Sequence, residues 1–366
     1  MVTTTKVKSN NDAIQRAESV EEAFKRMRSR LADVVPEFEL HYKAELAFKI
    51  NQLKRQKNAI ILAHNYMEPA LYHSVSDYTG DSLELARISA NTDADIIVFC
   101  GVKFMAETAK ILNPSKTALL PSEKAGCSLA ASITGEDVRR LKKKYPGVPV
   151  VSYVNTYADV KAETDICCTS SNAGAVIKHL MEQGHHRVMF LPDEYLAKNV
   201  AAETGIDIIF PSLPKGGTEN DPENFERVLI GWHGRCEVHE QFKVEDIRNV
   251  RKQFPDTVVL AHPECSPEVI EEADFSGSTK KMIDYVRNVD APRYLLLTEC
   301  SMGDNIIAEN PEKDMLRLCS VRCPHMNLIT LEDTLSALEN LQYEIEVPKD
   351  IAQKAGKSLD RMLQIT

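Results

Sequence analysis

The chain is 366 residues long and carries 44 basic against 54 acidic side chains, for a formal net charge of −10. At roughly 150 residues per domain that length predicts more than one domain, and 43% hydrophobic with 27% charged residues excludes disorder, collagen-like repeats and coiled coil. The negative balance excludes non-specific attraction to nucleic acid or to an anionic membrane, so an anionic ligand must find a local site.

The first 57 residues are polar and predict a helical lead-in, with helices around Val20 to Leu31 and His41 to Leu53. The start, Met1-Val-Thr-Thr-Thr-Lys6, runs into polar sequence without the apolar stretch of a secretory signal, so a cytoplasmic location is expected. There the nine cysteines read as thiols or metal ligands rather than disulfides. No apolar run approaches the roughly 18 residues of a membrane span. From Ala59 onward, short aliphatic runs alternate with helix-like stretches, the pattern of parallel sheets covered by helices in an α/β protein. The strand candidates are Ala59–Ala63, Asp95–Phe99, Val148–Ser152, Arg187–Leu191, Asp207–Phe210, Thr257–Ala261 and Arg293–Leu297, enough for several small sheets.

These segments repeat. Ala59-Ile-Ile-Leu-Ala-His64-Asn65-Tyr66 resembles Val258-Val-Leu-Ala-His262-Pro263-Glu264, and Val150-Val-Ser-Tyr153-Val154-Asn155 follows the same plan of an apolar strand ending in a triplet with polar outer members. A hydroxyl residue follows each triplet at 18, 17 and 17 residues: Ser82, Ser170 and Thr279, the last preceded by Ser278. Each lies just before helix-like sequence and is a candidate N-cap. Farther on comes a cysteine in each copy, Cys127, Cys236 and Cys323, at 63, 83 and 61 residues from the triplet. The pattern divides the chain into an N-terminal helical extension (1–57), three α/β/α units with parallel sheets (58–147, 148–255, 256–345) and a C-terminal helix (346–366). Ligands bind at the carboxyl ends of parallel strands. Three such units around a pseudo-threefold axis would bring triplets, caps and cysteines to one cavity.

Three thiolates in a reducing compartment bind either zinc or an iron-sulfur cluster. Zinc sites commonly draw on a short C-x-x-C knuckle, whereas these cysteines come singly from distant segments, which favours the larger cluster. A cubane held by three cysteines leaves one iron open as a Lewis acid. Cys100 and the Cys167-Cys168 pair, in or beside apolar strands, read as core, and Cys265 and Cys300 end strands. Cys319 competes with Cys323, which Pro324 favours, since a Cys-Pro terminus is common at iron-sulfur ligands. Exposed N–H groups at the three helix starts suit carboxylates or a phosphate, although each hydroxyl taken singly is explained by capping alone. His64, Tyr66, His239, His262 and Glu264 are candidate proton carriers, with Glu264 best placed beyond a strand end. His185, His186 and His233 read as surface or loop residues. A zinc-dependent aldolase or hydrolase using His64, His262, Glu264 and one cysteine is one rival reading, and a non-catalytic small-molecule binding protein is another.

Taken together, His64-Asn-Tyr66, Gly80-Asp-Ser82-Leu-Glu-Leu-Ala-Arg87, Phe99-Cys-Gly-Val-Lys-Phe-Met-Ala-Glu-Thr108, Gly126-Cys127-Ser-Leu-Ala130, Tyr153-Val-Asn155, His262-Pro-Glu264-Cys265 and Cys323-Pro-His-Met326 resemble the quinolinate synthase family over residues 58 to 330. The resemblance implies three α/β/α domains around a pseudo-threefold axis and a 4Fe-4S cluster on three cysteines. It also implies condensation of iminoaspartate with dihydroxyacetone phosphate to quinolinate, with loss of phosphate and water, in NAD biosynthesis. L-aspartate oxidase would be the functional partner that supplies iminoaspartate. Carried over by position, the cluster ligands are Cys127, Cys236 and Cys323. The substrate pocket takes in His64, Tyr66, Ser82, Tyr153, Asn155, Ser170, His239, His262, Glu264, Ser278 and Thr279, with Glu264, Tyr66 and His64 as the catalytic groups. Ser171 is an alternative to Ser170. Some members carry C-x-x-C-x-x-C at the third cysteine, where this chain has Cys319-Ser-Val-Arg-Cys323.

Overall fold

A computed structural model describes residues 11–211, 227–318 and 320–365. Thirteen strands among them form three sheets. The first holds β1 (Ala59–His64), β2 (Tyr78–Gly80), β3 (Ile96–Cys100) and β4 (Thr117–Leu119), in the spatial order β2-β1-β3-β4. The second holds β5 (Val150–Tyr153), β6 (Ile166–Cys168), β7 (Arg187–Leu191), β8 (Asp207–Ile209) and β9 (Val228–Ile230), ordered β6-β5-β7-β9-β8. The third holds β10 (Thr257–Ala261), β11 (Phe275–Ser276), β12 (Arg293–Leu297) and β13 (Met315–Arg317), ordered β11-β10-β12-β13. The strands pair in parallel. Flanking helices complete the three α/β/α layers expected from the sequence, alongside the N-terminal helices.

The three sheets share one plan. The second strand lies on one side of the first, and the third and fourth lie on the other; the middle sheet adds β8 as an extra edge strand. That insertion, between the third strand and the one equivalent to β4, accounts for the longer triplet-to-cysteine spacing in the middle copy. An aspartate marks the second strand in each sheet. Asp77, Asp165 and Asp274 accept from the backbone N–H of Ile61 (2.7 Å), Val150 (2.8 Å) and Val259 (2.8 Å). Their own N–H groups donate to the carbonyls of the same three residues. A short strand is thereby locked in register with the first.

Strands β7, β10 and β12 have the expected bounds. The expected Val148–Ser152 starts later, at Val150, because Pro149 has no N–H to give a ladder. The short strands β2, β4, β6, β9, β11 and β13 were not expected, since two or three residues carry no period.

Of the described residues, those up to Gly126, with Asp256–Val258 and Ile283–Glu346, form one compact unit; Cys127–Pro255, Val259–Met282 and the chain from Val347 form another. In the first, helix Val20–Leu31 starts at Ser19, whose hydroxyl accepts from the Glu22 N–H at 3.2 Å. Its partner runs from Glu37 to Gln56, longer than expected, with Glu37 and Glu39 in the first turn where they suit the helix dipole. Met27, Leu31, Leu40, Ala44, Ala47 and Ile50 are buried on these two helices. In the second unit, Val138 and Leu141 of helix Gly135–Lys144 pack on Val150, Met189, Leu191 and Ile230 of the middle sheet. Each such side chain contributes roughly 1.5–3 kcal/mol. Helix Lys349–Gln364 closes the same unit: its Ser358 hydroxyl donates to the Lys161 carbonyl at 3.0 Å. No helix among the described residues is long and apolar enough to cross a membrane.

Candidate active site

The three triplets sit where the first strand of each sheet ends: β1 finishes at His64, β5 at Tyr153, and β10 one residue before His262. Two of them fold alike. The backbone N–H of Tyr66 donates to His64 Nδ1, and that of Glu264 to His262 Nδ1, both at 3.3 Å. An accepting Nδ1 assigns the proton of the neutral ring to Nε2, so each imidazole presents a donor away from its own backbone.

The second unit gathers six of the expected site residues around Glu264, a carboxylate only 3% exposed. Its oxygens accept from the Tyr153 hydroxyl (2.6 Å), the Asn155 amide (3.2 Å) and His239 Nδ1 (2.8 Å). His239 lies three residues after Cys236, with Nδ1 at 3.2 Å from its sulfur, and stacks on His262 with ring centroids 4.5 Å apart. Donor atoms of Cys236, His239 and Glu264 lie within 4.8 Å of one another, a set able to hold a metal ion. Burial pushes the Glu264 carboxyl up, but the His239 charge and hydrogen bond, with His262 and Tyr153, outweigh it and hold the group well below the usual carboxylate range.

The expected helix caps need correction. Ser82 is the first helical residue of Ser82–Ala90, and Asp81 caps it, its carboxylate accepting from the N–H groups of Leu83 (3.1 Å) and Glu84 (3.0 Å). A carboxylate one position earlier takes the orphan donors before the serine can. Ser170 does not cap either: Asn172 occupies the cap position of Ala173–Glu182, and its side-chain oxygen accepts from the Thr169 N–H at 2.8 Å. Ser170 Oγ instead sits 3.4 Å from His262 Nε2. The carbonyl of Ser171 accepts from Lys281 Nζ at 3.2 Å. In the third case the cap lies one residue before the expected Thr279: Ser278, fully buried before helix Thr279–Asn288, accepts from the Lys281 N–H at 3.4 Å. Thr279 is buried as the first residue of that helix.

In the first unit, His64 and Tyr66 meet edge to face, centroids 4.5 Å apart, and the Tyr66 phenol is 2.5 Å from the Thr298 hydroxyl. Thr298 and Glu299 follow β12. Burial pushes the Glu299 carboxyl up to about 7, against the backbone N–H groups of Ser301 and Cys323 and the Arg322 charge.

Eight free cysteines are described. Cys100, Cys167, Cys168, Cys265 and Cys300 are buried; Cys127, Cys236 and Cys323 are half-buried. The three thiols picked out by the repeat are thus the three not consumed by packing. Cys319 lies outside the described residues. Burial, then the nearby Glu264 and Cys127, pushes the Cys236 thiol well up, a shift that ligation to a cation reverses. Gly234 brings its loop close: a Cβ there would come 2.4 Å from Ser132 Oγ and 2.6 Å from the Pro192 carbonyl. Arg235 and His233 pair with the buried Glu194 on the same loop.

Sequence reading passed over several residues that shape the site. Asp193 is fully buried, caps helix Glu194–Thr204 through the Leu196 N–H at 2.6 Å, and has no partner for its second oxygen among the described residues. Burial and then the Glu264 charge push its carboxyl well up. Asn199 donates to the Pro263 and Cys265 carbonyls at 2.8 and 2.9 Å, and Asn305 to those of Asn65 and Met67 at 3.1 and 2.9 Å. Lys161, fully buried, donates to the Val154 carbonyl at 2.9 Å and to that of Thr156. A signal existed: both asparagines stand eight residues beyond the last residue of a strand the sequence had bounded, Leu191 or Leu297.

A family model described as Quinolinate synthetase A protein matches residues 48–364. The chain is 52% identical over 316 residues to quinolinate synthase 2 of Mesorhizobium japonicum, covering 86% of this chain and 90% of that protein. It is 51% identical over 336 residues to the quinolinate synthase of Agrobacterium fabrum (92% and 90% covered), and 50% identical over 316 residues to that of Xylella fastidiosa strain 9a5c (86% of each).

Proposed function

The chain belongs to the quinolinate synthetase A family and is an enzyme, and from that premise we propose that it condenses iminoaspartate with dihydroxyacetone phosphate, releasing phosphate and water as the pyridine ring of quinolinate closes. It would serve NAD biosynthesis in the cytoplasm, with iminoaspartate supplied by an L-aspartate oxidase. The observation that carries this reading is the buried Glu264 carboxylate, held ionised by His239 and Tyr153 in reach of the Cys236 sulfur.

The donor set fits an iron-sulfur cluster, because Cys127, Cys236 and Cys323 are the described thiols left incompletely packed. We propose them as its ligands, one from each of the α/β units 58–147, 148–255 and 256–345. When bound, a 4Fe-4S cluster with three thiolate ligands supplies an open iron that polarises a substrate oxygen. The chain's own residues do the rest. Glu264, ionised and oriented by three donors, accepts a substrate proton during enolisation and returns it during dehydration. Tyr66, its phenol fixed by Thr298, gives or takes a second proton. His64, His239 and His262 with Ser82, Ser170, Tyr153 and Asn155 bind and orient the carboxylates through N–H and O–H donors. The buried start of helix Thr279–Asn288, with Ser278 and Thr279, takes the phosphate, where the helix dipole favours an anion.

The test is direct. Anaerobically purified protein, given dihydroxyacetone phosphate and iminoaspartate generated from aspartate, is expected to release quinolinate and phosphate in equal amounts. Cluster-loaded protein that releases neither contradicts the proposal.

A further inference from the structure

Where a parallel strand ends, its last carbonyls lose their ladder partners, and a buried carbonyl must find another donor. In each triplet the two carbonyls that flank the third member are in this position, those of residues one and three beyond the outer histidine or tyrosine. Each pair is taken by a single side-chain nitrogen. Asn305 holds Asn65 and Met67, on either side of Tyr66; Asn199 holds Pro263 and Cys265, on either side of Glu264; Lys161 holds Val154 and Thr156, on either side of Asn155.

The placement recurs as closely as the contact does. Asn199 is the sixth residue of helix Glu194–Thr204 and Asn305 the sixth of helix Cys300–Glu309, and both helices are capped by a buried acid, Asp193 or Glu299. The same position in helix Lys103–Leu112 is Thr108, whose hydroxyl donates to the Phe104 carbonyl of its own helix at 2.8 Å. For the middle triplet the donor comes instead from Lys161, in helix Ala158–Ala162. Two chemistries thus meet one requirement. An amide with both hydrogens engaged fixes the peptide units before and after the middle of the clamp, and with them the direction in which the third member's side chain leaves the backbone.

We propose that Asn199, Asn305 and Lys161 are positioning residues for the reaction, each setting the third member of a triplet, Glu264, Tyr66 or Asn155, in its working orientation. The proposal rests on the functional reading above, in which those third members handle the substrate. A clamp that only satisfied buried carbonyls would affect stability; one that aims Glu264 affects the chemical step, where a misplacement near 1 Å costs about 10²-fold.

The experiment compares Asn199→Ala, Asn199→Ser and Leu141→Ala, a core change in the same unit that touches none of the triplets, in cluster-loaded full-length enzyme. Turnover is expressed per bound cluster at saturating substrate, alongside KM and the melting temperature. Asn199→Ala is expected to lower kcat about 10²-fold with KM changed far less, and Asn199→Ser, which keeps one donor, to fall between it and wild type. Leu141→Ala is expected to melt earlier with wild-type kcat. Equal kcat per cluster in wild type and Asn199→Ser or Asn199→Ala overturns the proposal, as does a kcat loss in Leu141→Ala matched to its loss of stability. Glu264→Gln separates the two levels: if it keeps full turnover, the role given to Glu264 fails, whereas an inactive Glu264→Gln beside a fully active Asn199→Ala refutes the clamp alone.

Discussion

The triplets His64-Asn-Tyr66 and His262-Pro-Glu264 share a backbone and differ in chemistry. Both accept an N–H at the histidine Nδ1, and both are clamped by an asparagine at the same helix position. Yet Tyr66 ends in a neutral pair with the Thr298 hydroxyl, while Glu264 ends among His239, Tyr153 and Asn155, which hold it ionised. A repeated scaffold supplies position, and the residue at the third place, with its neighbours, supplies the chemistry. In the proposed reaction one copy would then offer an oriented carboxylate and another a neutral phenol.

Three substitutions press on that contrast, beginning with the largest effect. Glu264→Gln keeps the shape and removes the base, so kcat is expected to fall about 10²–10⁴-fold while the visible absorption of the cluster persists. Tyr66→Phe removes a hydroxyl but no charge, and a loss near the lower end of the same range, about 10²-fold, is expected in kcat. Thr298→Val removes the partner of that phenol; one hydrogen bond of about 1 kcal/mol predicts roughly a 5-fold loss. In the Tyr66→Phe background Thr298→Val should cost less than in wild type, because the contact between the two is already gone.

The fourth prediction concerns pH. Burial, then the Glu264 charge, pushes the Asp193 carboxyl well above the ordinary range in the folded chain, whereas in the unfolded chain it titrates near pH 3.9. Stability from this residue therefore falls as pH rises from about 4 toward neutrality. Glu264, held low, has the opposite sign: its contribution is present above the ordinary glutamate range and is lost as pH falls through the folded value. Asp193→Asn keeps an acceptor for the Leu196 N–H and removes the titration. Its melting temperature relative to wild type is expected to improve by a few degrees between pH 4.5 and 7, as followed by calorimetry.

Much of this arrangement was legible in the sequence. The aliphatic strands and the polar triplets at their ends stand out by composition, and the recurring cysteine in each copy separates Cys127, Cys236 and Cys323 from thiols embedded in strands such as Cys100 and Cys167. The strand-length residues of β2 and β11 were not, because so few positions carry no alternation. The caps were misread at Ser82 and Ser170 because a hydroxyl before a helix is only one of several candidates: the Asp81 carboxylate takes the N–H groups in the first case, and in the second the cap position falls two residues later, at Asn172. Asn199 and Asn305 were hidden for a different reason: an asparagine inside a helix reads as solvated polarity until the carbonyls it holds, 64 and 240 residues away in the chain, are in view. Asp193 likewise reads as an ordinary cap until its burial is known.

The most direct test is the iron and sulfide content of anaerobically reconstituted protein, measured in wild type and in Cys127→Ser, Cys236→Ser, Cys323→Ser and Cys100→Ser. About four irons and four sulfides per chain are expected in wild type and in Cys100→Ser, with loss in each of the other three. Wild-type protein that stays colourless and free of iron, or a Cys323→Ser variant that keeps its full cluster, would contradict the account.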